Sequence, residues 1–393
     1  MANAPTVSSG SKTTFDDTSN FKVDISDAIE ALDPRDTPCL ARFGKSSLRT
    51  PCIETTHYWL EDELIPTAAE VDAAYTSGTL NFNLRPVGAA SGTDASTYFK
   101  VDDVLYITGQ HYQVTSIASN LVYVRLLSSA DAAKSVGDKV YNLGTAATEG
   151  SVARVVGEWT TLDKPYNYTQ IFKDEVNVTG TQEAIAKYGY TSELDYQLSK
   201  RLQELAIKME RDFIYGIRNV ATVNNQPMRM MGGLWYFIRN AAGGTANTDI
   251  IKTAASAALS QSLIDGVLEN LWALGGAPDL IICGGYQKRV IDAWMTPYVQ
   301  VGMNQSQLGT TISTYRSSYG DVSIMLNRYV HPTDLIIVSS KYIGLGPLTG
   351  RAFSTETLPK TGDYQGRMML GEYTMEVRCV GRAHGWIHTL ATS

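Results

Sequence analysis

The sequence predicts an α+β protein whose body rests on one long helix and a compact α/β unit, with a small all-β insertion in its N-terminal half. Three observations carry that prediction. Over residues 191–218, Leu194, Leu198, Leu202, Leu205, Met209, Phe213 and Ile217 recur three and four apart, the period of an amphipathic helix. Residues 98–107, 112–117, 121–127 and 139–143 are short β-branched and aromatic runs separated by Gly109, Ser119-Asn120 and Gly137, which reads as strands joined by tight turns. Between residues 261 and 338, helical and strand patterns alternate.

A chain of 393 residues calls for a main body with one or two attached subdomains. It is 44% hydrophobic and only 19% charged, so few charges are available to solvate its surface, and much of that surface is expected to lie under other subunits. A net charge of −7 argues against affinity dominated by phosphate neutralisation, which needs clustered Lys and Arg. The first twenty residues lack a basic stretch followed by an apolar one, and no run approaches the ~18 apolar residues of a membrane span. The expectation is a soluble protein made in the cytoplasm, without a membrane partner.

Taken in order, residues 1–50 are rich in Ser, Thr, Asp and Pro, with small apolar clusters such as Ile25, Ala28, Ile29 and Leu32. They read as an extended arm with one short helix. An arm that cannot bury its own apolar residues lies on something else. Residues 54–85 mix aromatic and acidic side chains without helical period and read as a long, partly extended excursion. The β insertion of roughly 60 residues follows, below the size at which a core is comfortably self-sufficient. The chain returns through Glu149-Gly150, and residues 159–172 mirror the outgoing excursion.

The long helix opens with Ser192 and Asp195 in the places of a capping box, carries Glu204 and Lys208 as an i,i+4 pair, and would run about 40 Å. Its stripe suits a spine laid along a body. A second helix over 263–274 ends at Gly275-Gly276. Strand 280–283, a Gly284-Gly285 turn and a helix over 286–295 stopped by Pro297 come next. Residues 301–320 are polar and Gly-rich and read as a loop, 322–326 alternate as a half-buried strand, and 335–338 are continuously apolar. Strands through Tyr373, Met375 and Val377, and through Trp386 and Ile387, close the chain.

Motifs for chemistry are weak. Gly44-Lys45-Ser46 ends like a phosphate loop, but Cys39 stands where its first glycine belongs. Lys288 and Arg289 follow a strand and a Gly-Gly turn, which could present a phosphate site, yet no GxGxxG accompanies them. Gly344, Gly346 and Gly350 have the wrong spacing for a dinucleotide loop. His384 and His388 share a face of either a strand or a helix and could bind a metal jointly, but no third ligand is in reach, since Cys379 would face the other way. Cys39, Cys52, Cys283 and Cys379 show no zinc-like spacing and read as free or buried thiols. Acidic pairs such as Asp16-Asp17 and Asp102-Asp103 read as solvated surface. The expectation is a protein without catalytic, cofactor-binding or metal residues, and without a cofactor.

Segments distributed through the chain carry a resemblance. They are Trp59-Leu60 with Asp62 and Leu64, Glu149-Gly150 after the β insertion, Asn167-Tyr168-Thr169-Gln170-Ile171-Phe172, Val178-Thr179-Gly180-Thr181 and Tyr188-Gly189. Glu204-Leu205 and Glu210-Arg211 on the helix, and Arg229-Met230-Met231-Gly232-Gly233, continue the series. Leu358, Lys360-Thr361-Gly362-Asp363, Gly371-Glu372-Tyr373 and Ala383-His384 complete it. In order and spacing they resemble the major capsid proteins of tailed bacteriophages. The resemblance implies the fold shared by tailed-phage and herpesvirus shells: an N-terminal arm (1–53), an extended loop (54–172) with the β insertion at about 86–148, a peripheral domain (173–260 and 346–393) with its spine helix, and an axial domain (261–345).

The same resemblance implies a non-enzymatic virion protein that assembles with itself into pentamers and hexamers and encloses double-stranded DNA without sequence-specific binding. No long helical segment precedes residue 54 to act as a built-in scaffold, so a separate scaffolding protein is expected as a partner, with a portal protein and a decoration protein as others. No motif singles out a Lys–Asn pair for crosslinking, Lys360 included. Three other readings stand beside this one: the shell of a cellular nanocompartment, a phosphate-binding α/β enzyme built on residues 261–345, and a tail or decoration protein.

Overall fold

A computed structural model describes residues 36–44, 51–62, 64–87, 90–118, 120–128, 130–147, 149–150, 162–187, 190–240, 250–295 and 314–392. Helix α1 (Pro38–Phe43) opens this part of the chain, with Pro38 in the first turn, where a missing N–H costs nothing. Strand β1 (Thr56–Tyr58) leads to six strands that close on themselves: β2 (Ala68–Val71), β3 (Asn81–Pro86), β4 (Asp103–Ile107), β5 (Gln110–Ala118), β6 (Leu121–Leu126) and β7 (Lys139–Thr145). They form a barrel in the order β2-β3-β6-β5-β4-β7.

Alternation builds the barrel. In β4 the odd positions, Leu105 and Ile107 among them, point inward and the even ones outward. With Val71, Phe82, Leu84, Tyr112, Val114, Val122 and Val140 they make its core. The turn between β4 and β5 puts Thr108 and Gly109 at φ 41° and 85°, the left-handed pair that a two-residue hairpin requires. Polar groups are built in as well: Asp131 accepts from Tyr75 Oη and Tyr112 Oη at 2.7 Å each.

The return strand β8 (Tyr166–Tyr168) pairs antiparallel with β1 in a two-stranded ribbon. Strand β9 (Gln170–Thr179) and the short helix α2 (Gly180–Ala184) precede the long helix α3 (Glu193–Tyr215). Ser192 Oγ accepts from the Asp195 N–H at 3.2 Å, as the capping pattern predicts. The Asp195 carboxylate, however, turns to Arg367 at 2.8 Å, and Glu183 supplies the second cap by accepting from the Glu193 and Leu194 N–H groups. Glu204 pairs with Arg201 one turn before it. Leu194, Leu205, Met209, Phe213 and Ile214 are buried, whereas Leu202 is exposed and Ile217 lies past the helix end.

A hairpin of β10 (Asn219–Val223) and β11 (Gln226–Met230) turns at Asn224-Asn225, both with positive φ, and α4 (Leu234–Arg239) follows. Then come β12 (Ile251–Thr253), α5 (Gln261–Ala273), β13 (Leu280–Cys283), α6 (Gly285–Met295), β14 (Thr314–Ser317), β15 (Gly320–Leu326) and β16 (Leu335–Val338). The chain ends through β17 (Ile343–Pro347), β18 (Ser354–Thr357), β19 (Tyr364–Val377), α7 (Val380–Ala383) and β20 (Gly385–His388). A six-stranded mixed sheet takes the order β12-β20-β16-β13-β15-β14, and a second sheet joins β17, β19 and β18, with β9 on β19. β13 and β16 are buried at every residue, which is why both read as continuous apolar runs. Ile264, Val267, Leu268 and Leu271 of α5 and Ile291 of α6 pack with Ile281, Cys283, Leu335 and Ile337 in one core.

Two compact units divide these residues. One contains Lys173–Leu205 and Thr355–Met369; the other contains Asp36–Phe172, Ala206–Ser354 and the chain from Leu370.

Two expectations change. The β unit opens at Ala68 and not near residue 86, because closing the barrel recruits β2 and β3 from the stretch read as an excursion. The polar stretch 301–320 is not all loop: residues 314–317 form β14, paired with β15 around the turn at Ser318-Tyr319. Of the arm, residues 36–44 are described and carry one short helix, α1, while Ile25, Ala28, Ile29 and Leu32 lie outside the described residues.

Candidate functional site

His384 and His388 bracket β20 as their spacing requires, but their surroundings differ. His384 is fully buried, with Nδ1 3.4 Å from the Ser339 N–H and Nε2 3.0 Å from the Arg378 carbonyl. Burial pushes its pKa down to about 4, so it stays neutral. His388 is held between the hydroxyls of Thr253 (3.0 Å) and Thr389 (2.8 Å). Among the described residues no cluster of three or more His, Cys, Asp and Glu could hold a metal.

Lys288 pairs with Asp292 at 2.5 Å and Arg289 lies over the Tyr286 ring, so both cations are engaged along α6. Gly344 and Gly346 are buried inside β17, and Gly350 sits in the turn beyond it at φ 77°. Lys45 and Ser46 lie outside the described residues. All four cysteines are free thiols, and burial pushes Cys283 up to about 12.

What stands out instead is a set of buried carboxylates that fasten distant segments together. Glu210 on α3 accepts from the N–H groups of Cys39 and Leu40 at 2.8 Å each, and from Asn327 Nδ2 at 2.6 Å. Phe43 stacks on Phe213 at 5.1 Å, and Asp36 pairs with Arg328 at 2.8 Å. The segment 36–43 is thus fixed by hydrogen bonds to the buried Glu210 carboxyl, each worth roughly 1.5–3 kcal/mol, by an aromatic pair, and by an exposed ion pair worth about 0–1 kcal/mol. Glu372, 2% exposed, binds Thr169 Oγ1 (2.6 Å), Arg229 (3.2 Å) and Arg351 (2.8 Å).

Glu376 holds the ribbon's root through His57 at 3.3 Å. Hydrogen bonds to the Cys52 side chain and to Glu376 push His57 up to about 9, against the effect of burial. Burial alone would push Glu376 up, but hydrogen bonds from His57 and Arg378 outweigh it and its pKa is lowered. These acids have no motif signature. The available signal was the acidic residue beside the apolar stripe: Glu210 follows Met209 and precedes Phe213 by three positions.

The chain flanking this ribbon exposes large apolar side chains. Ile53 and Leu64 are 89% exposed, Leu60 60% and Leu162 59%, too many beside one two-stranded element for scattered surface hydrophobics. A cavity of about 510 Å3 lies elsewhere, with Trp235, Ile238, Ile251 and Trp386 as its apolar lining. Arg239, Asp334 and His388 stand among its polar groups. Trp386 is 3% exposed, and its Nε1–H finds no acceptor among the described residues. His57 does bond the Cys52 thiol, but Cys52 is buried, so among the described residues this pair faces no open reaction space.

Comparison with known proteins agrees. A family model for the SU10 major capsid protein matches residues 7–391. Among solved structures, the chain is similar to the capsid asymmetric unit of cyanophage A-1(L), with a TM-score of 0.58 at 9% identity over 96% of this chain and 99% of that one. It is similar to the capsid of a native GTA particle (TM-score 0.52, 7% identity, 95% and 96% covered) and to a solved structure from Mycobacterium phage Bobi (0.51, 10%, 97% and 99%). At these identities the likeness is one of fold. No curated protein matches the chain.

Proposed function

The chain belongs to the SU10 major capsid protein family, a structural, self-assembling and non-enzymatic capsid protein of a tailed phage, and from that premise we propose that it builds a closed icosahedral or prolate shell around double-stranded DNA. One observation carries the reading: the family match runs from residue 7 to residue 391, nearly the whole chain. In this reading residues 1–53 are the arm, 54–172 the extended loop carrying the barrel, 173–260 with 346–393 the peripheral domain around α3, and 261–345 the axial domain. Identical chains joined head to tail close into pentamers and hexamers, and these tile the shell. Arm and extended loop would enlarge each contact beyond the ~1,600 Å2 of an ordinary interface. The exposed leucines flanking the ribbon support this, because they need cover that the other described residues do not supply.

A net charge of −7 suits a wall that confines DNA without gripping it. Scaffolding, portal and decoration proteins are the partners such a shell calls for. Negative-stain electron microscopy of the purified chain, with its mass by light scattering, tests the proposal. Rings or shells of uniform diameter are expected, alone or with a scaffolding protein present. A monodisperse monomer or dimer under both conditions would refute it.

A further inference from the structure

The barrel holds a buried lysine against a side-chain amide. Lys134, 4% exposed, lies in the segment between β6 and β7. Its N–H and carbonyl both pair with the Tyr75 backbone, at 3.1 and 3.0 Å, so its own backbone is fixed. Its Nζ stands 2.5 Å from Oε1 of Gln110, the first residue of β5 and 24 positions away in the chain. Because a C=O bond is about 1.23 Å long, Nζ lies no more than about 3.7 Å from Gln110 Cδ, just beyond the roughly 3–3.5 Å of a near-attack arrangement.

The surroundings suit that carbonyl to an incoming amine. Oε1 also takes hydrogen bonds from Tyr112 Oη at 2.6 Å and from the Ala132 N–H at 3.2 Å, donors that would stabilise negative charge developing on it. Burial pulls Lys134 below the usual lysine range, against the nearby charges of Asp131 and Asp138, which eases loss of its proton. A proton acceptor is at hand. Burial alone would push Asp131 up, but hydrogen bonds from Tyr75, Tyr112 and the Gly78 N–H outweigh it and keep it a carboxylate. Tyr112 Oη is 2.7 Å from Asp131 Oδ1, so its single proton can serve either neighbour. Phe82 packs on the rings of Tyr75 (4.4 Å) and Tyr112 (5.1 Å) and holds both hydroxyls in place. The other end of the amide lies at the surface: Gln110 Nε2 donates to the carbonyl of exposed Ala130 at 2.6 Å, where a departing nitrogen reaches solvent.

We propose that Lys134 and Gln110 join in an isopeptide bond within one chain, formed by the barrel itself. Nζ adds to Cδ, the bond from Cδ to Nε2 breaks, and the two protons that the Lys134 ammonium gives up leave on that nitrogen as ammonium, passed across by Tyr112 and Asp131. No oxidant, reductant or cofactor enters the balance. The bond ties the start of β5 to the segment ahead of β7. It links parts of a single chain, so a denaturing gel would still show the monomer, and it stands whatever the chain assembles into.

Intact-mass measurement of the purified full-length chain tests it. Incubated wild type should converge on a mass about 17 Da below that of its sequence, the ammonia lost. Trypsin should then release residues 101–125 joined to residues 126–139, uncut after Lys134. Lys134→Arg keeps the positive charge without the primary amine and should hold its full mass. Wild type that stays at full mass after prolonged incubation would overturn the proposal. So would a loss of ammonia without the branched fragment, or one that persists in Lys134→Arg. If that variant does not fold, the wild-type mass and the branched fragment decide by themselves.

Discussion

Glu210 lies where water does not reach, 0% exposed and surrounded by donors. Burial pushes its carboxyl upward, and the N–H groups of Leu40 and Cys39 and the amide of Asn327 pull it back. Removing it would strand three donors at once. Glu210→Ala should therefore cost roughly 3 kcal/mol, read as a lower urea midpoint of the soluble subunit, and an unchanged midpoint would mean that segment 36–43 is held some other way. His57 gives the corresponding pH test. Its pKa is raised from 6.5 to about 9, so the folded state binds its proton more tightly and gains stability that is complete below pH 6.5. That gain declines as pH climbs and is gone above about 9. The melting temperature of wild type should exceed that of His57→Gln at pH 6.5, and the gap should narrow by pH 10; a gap constant over that range would rule out the protonated clamp.

At the scale of the element, the long helix and the hairpin after it show how sequence and contact share control. The helix is legible because its apolar period is local, and Ser192 marks its start. Its end is decided by another segment. Gly233 donates its N–H to the Gly216 carbonyl at 2.8 Å, and a Cβ on Gly233 would lie 2.6 Å from both the Asp212 carbonyl oxygen and the Gly216 nitrogen. Those are backbone atoms that cannot swing aside. Gly233→Ala should destabilise the subunit by about 1–3 kcal/mol or leave it insoluble, and a variant that melts like wild type would show that the close approach is not required. The barrel makes the opposite point. β4 to β7 announce themselves by alternation, but β2 is four residues long and β3 follows a turn-rich stretch, so their membership is visible only once the barrel closes.

For the whole molecule, the surface bears out what composition implied. A chain with 19% charged residues leaves Ile53, Leu60, Leu64 and Leu162 exposed in the stretches flanking one ribbon, and a self-assembling family explains why that is tolerated. The sheets follow the same economy. β13 and β16, buried on both faces, form the middle of the six-stranded sheet, while β12 and β14 are its edges. Edge strands are potential seams between chains, so the proposed shell contacts belong to this scale.

The sequence by itself determined the α+β class, the long helix, the α5–β13–α6 order and the absence of a recognisable catalytic motif, because each depends on neighbours a few positions apart. Its family segments, spread over the chain, also led to the capsid assignment. Tertiary structure alone decided which acids are buried fasteners, that β2 and β3 belong to the barrel, and that His384 is a neutral core residue while His388 sits between two threonines. The physical reason is separation along the chain. Glu210 meets Cys39 across 171 positions and His57 meets Glu376 across 319, and no periodicity in a linear pattern records partners so far apart.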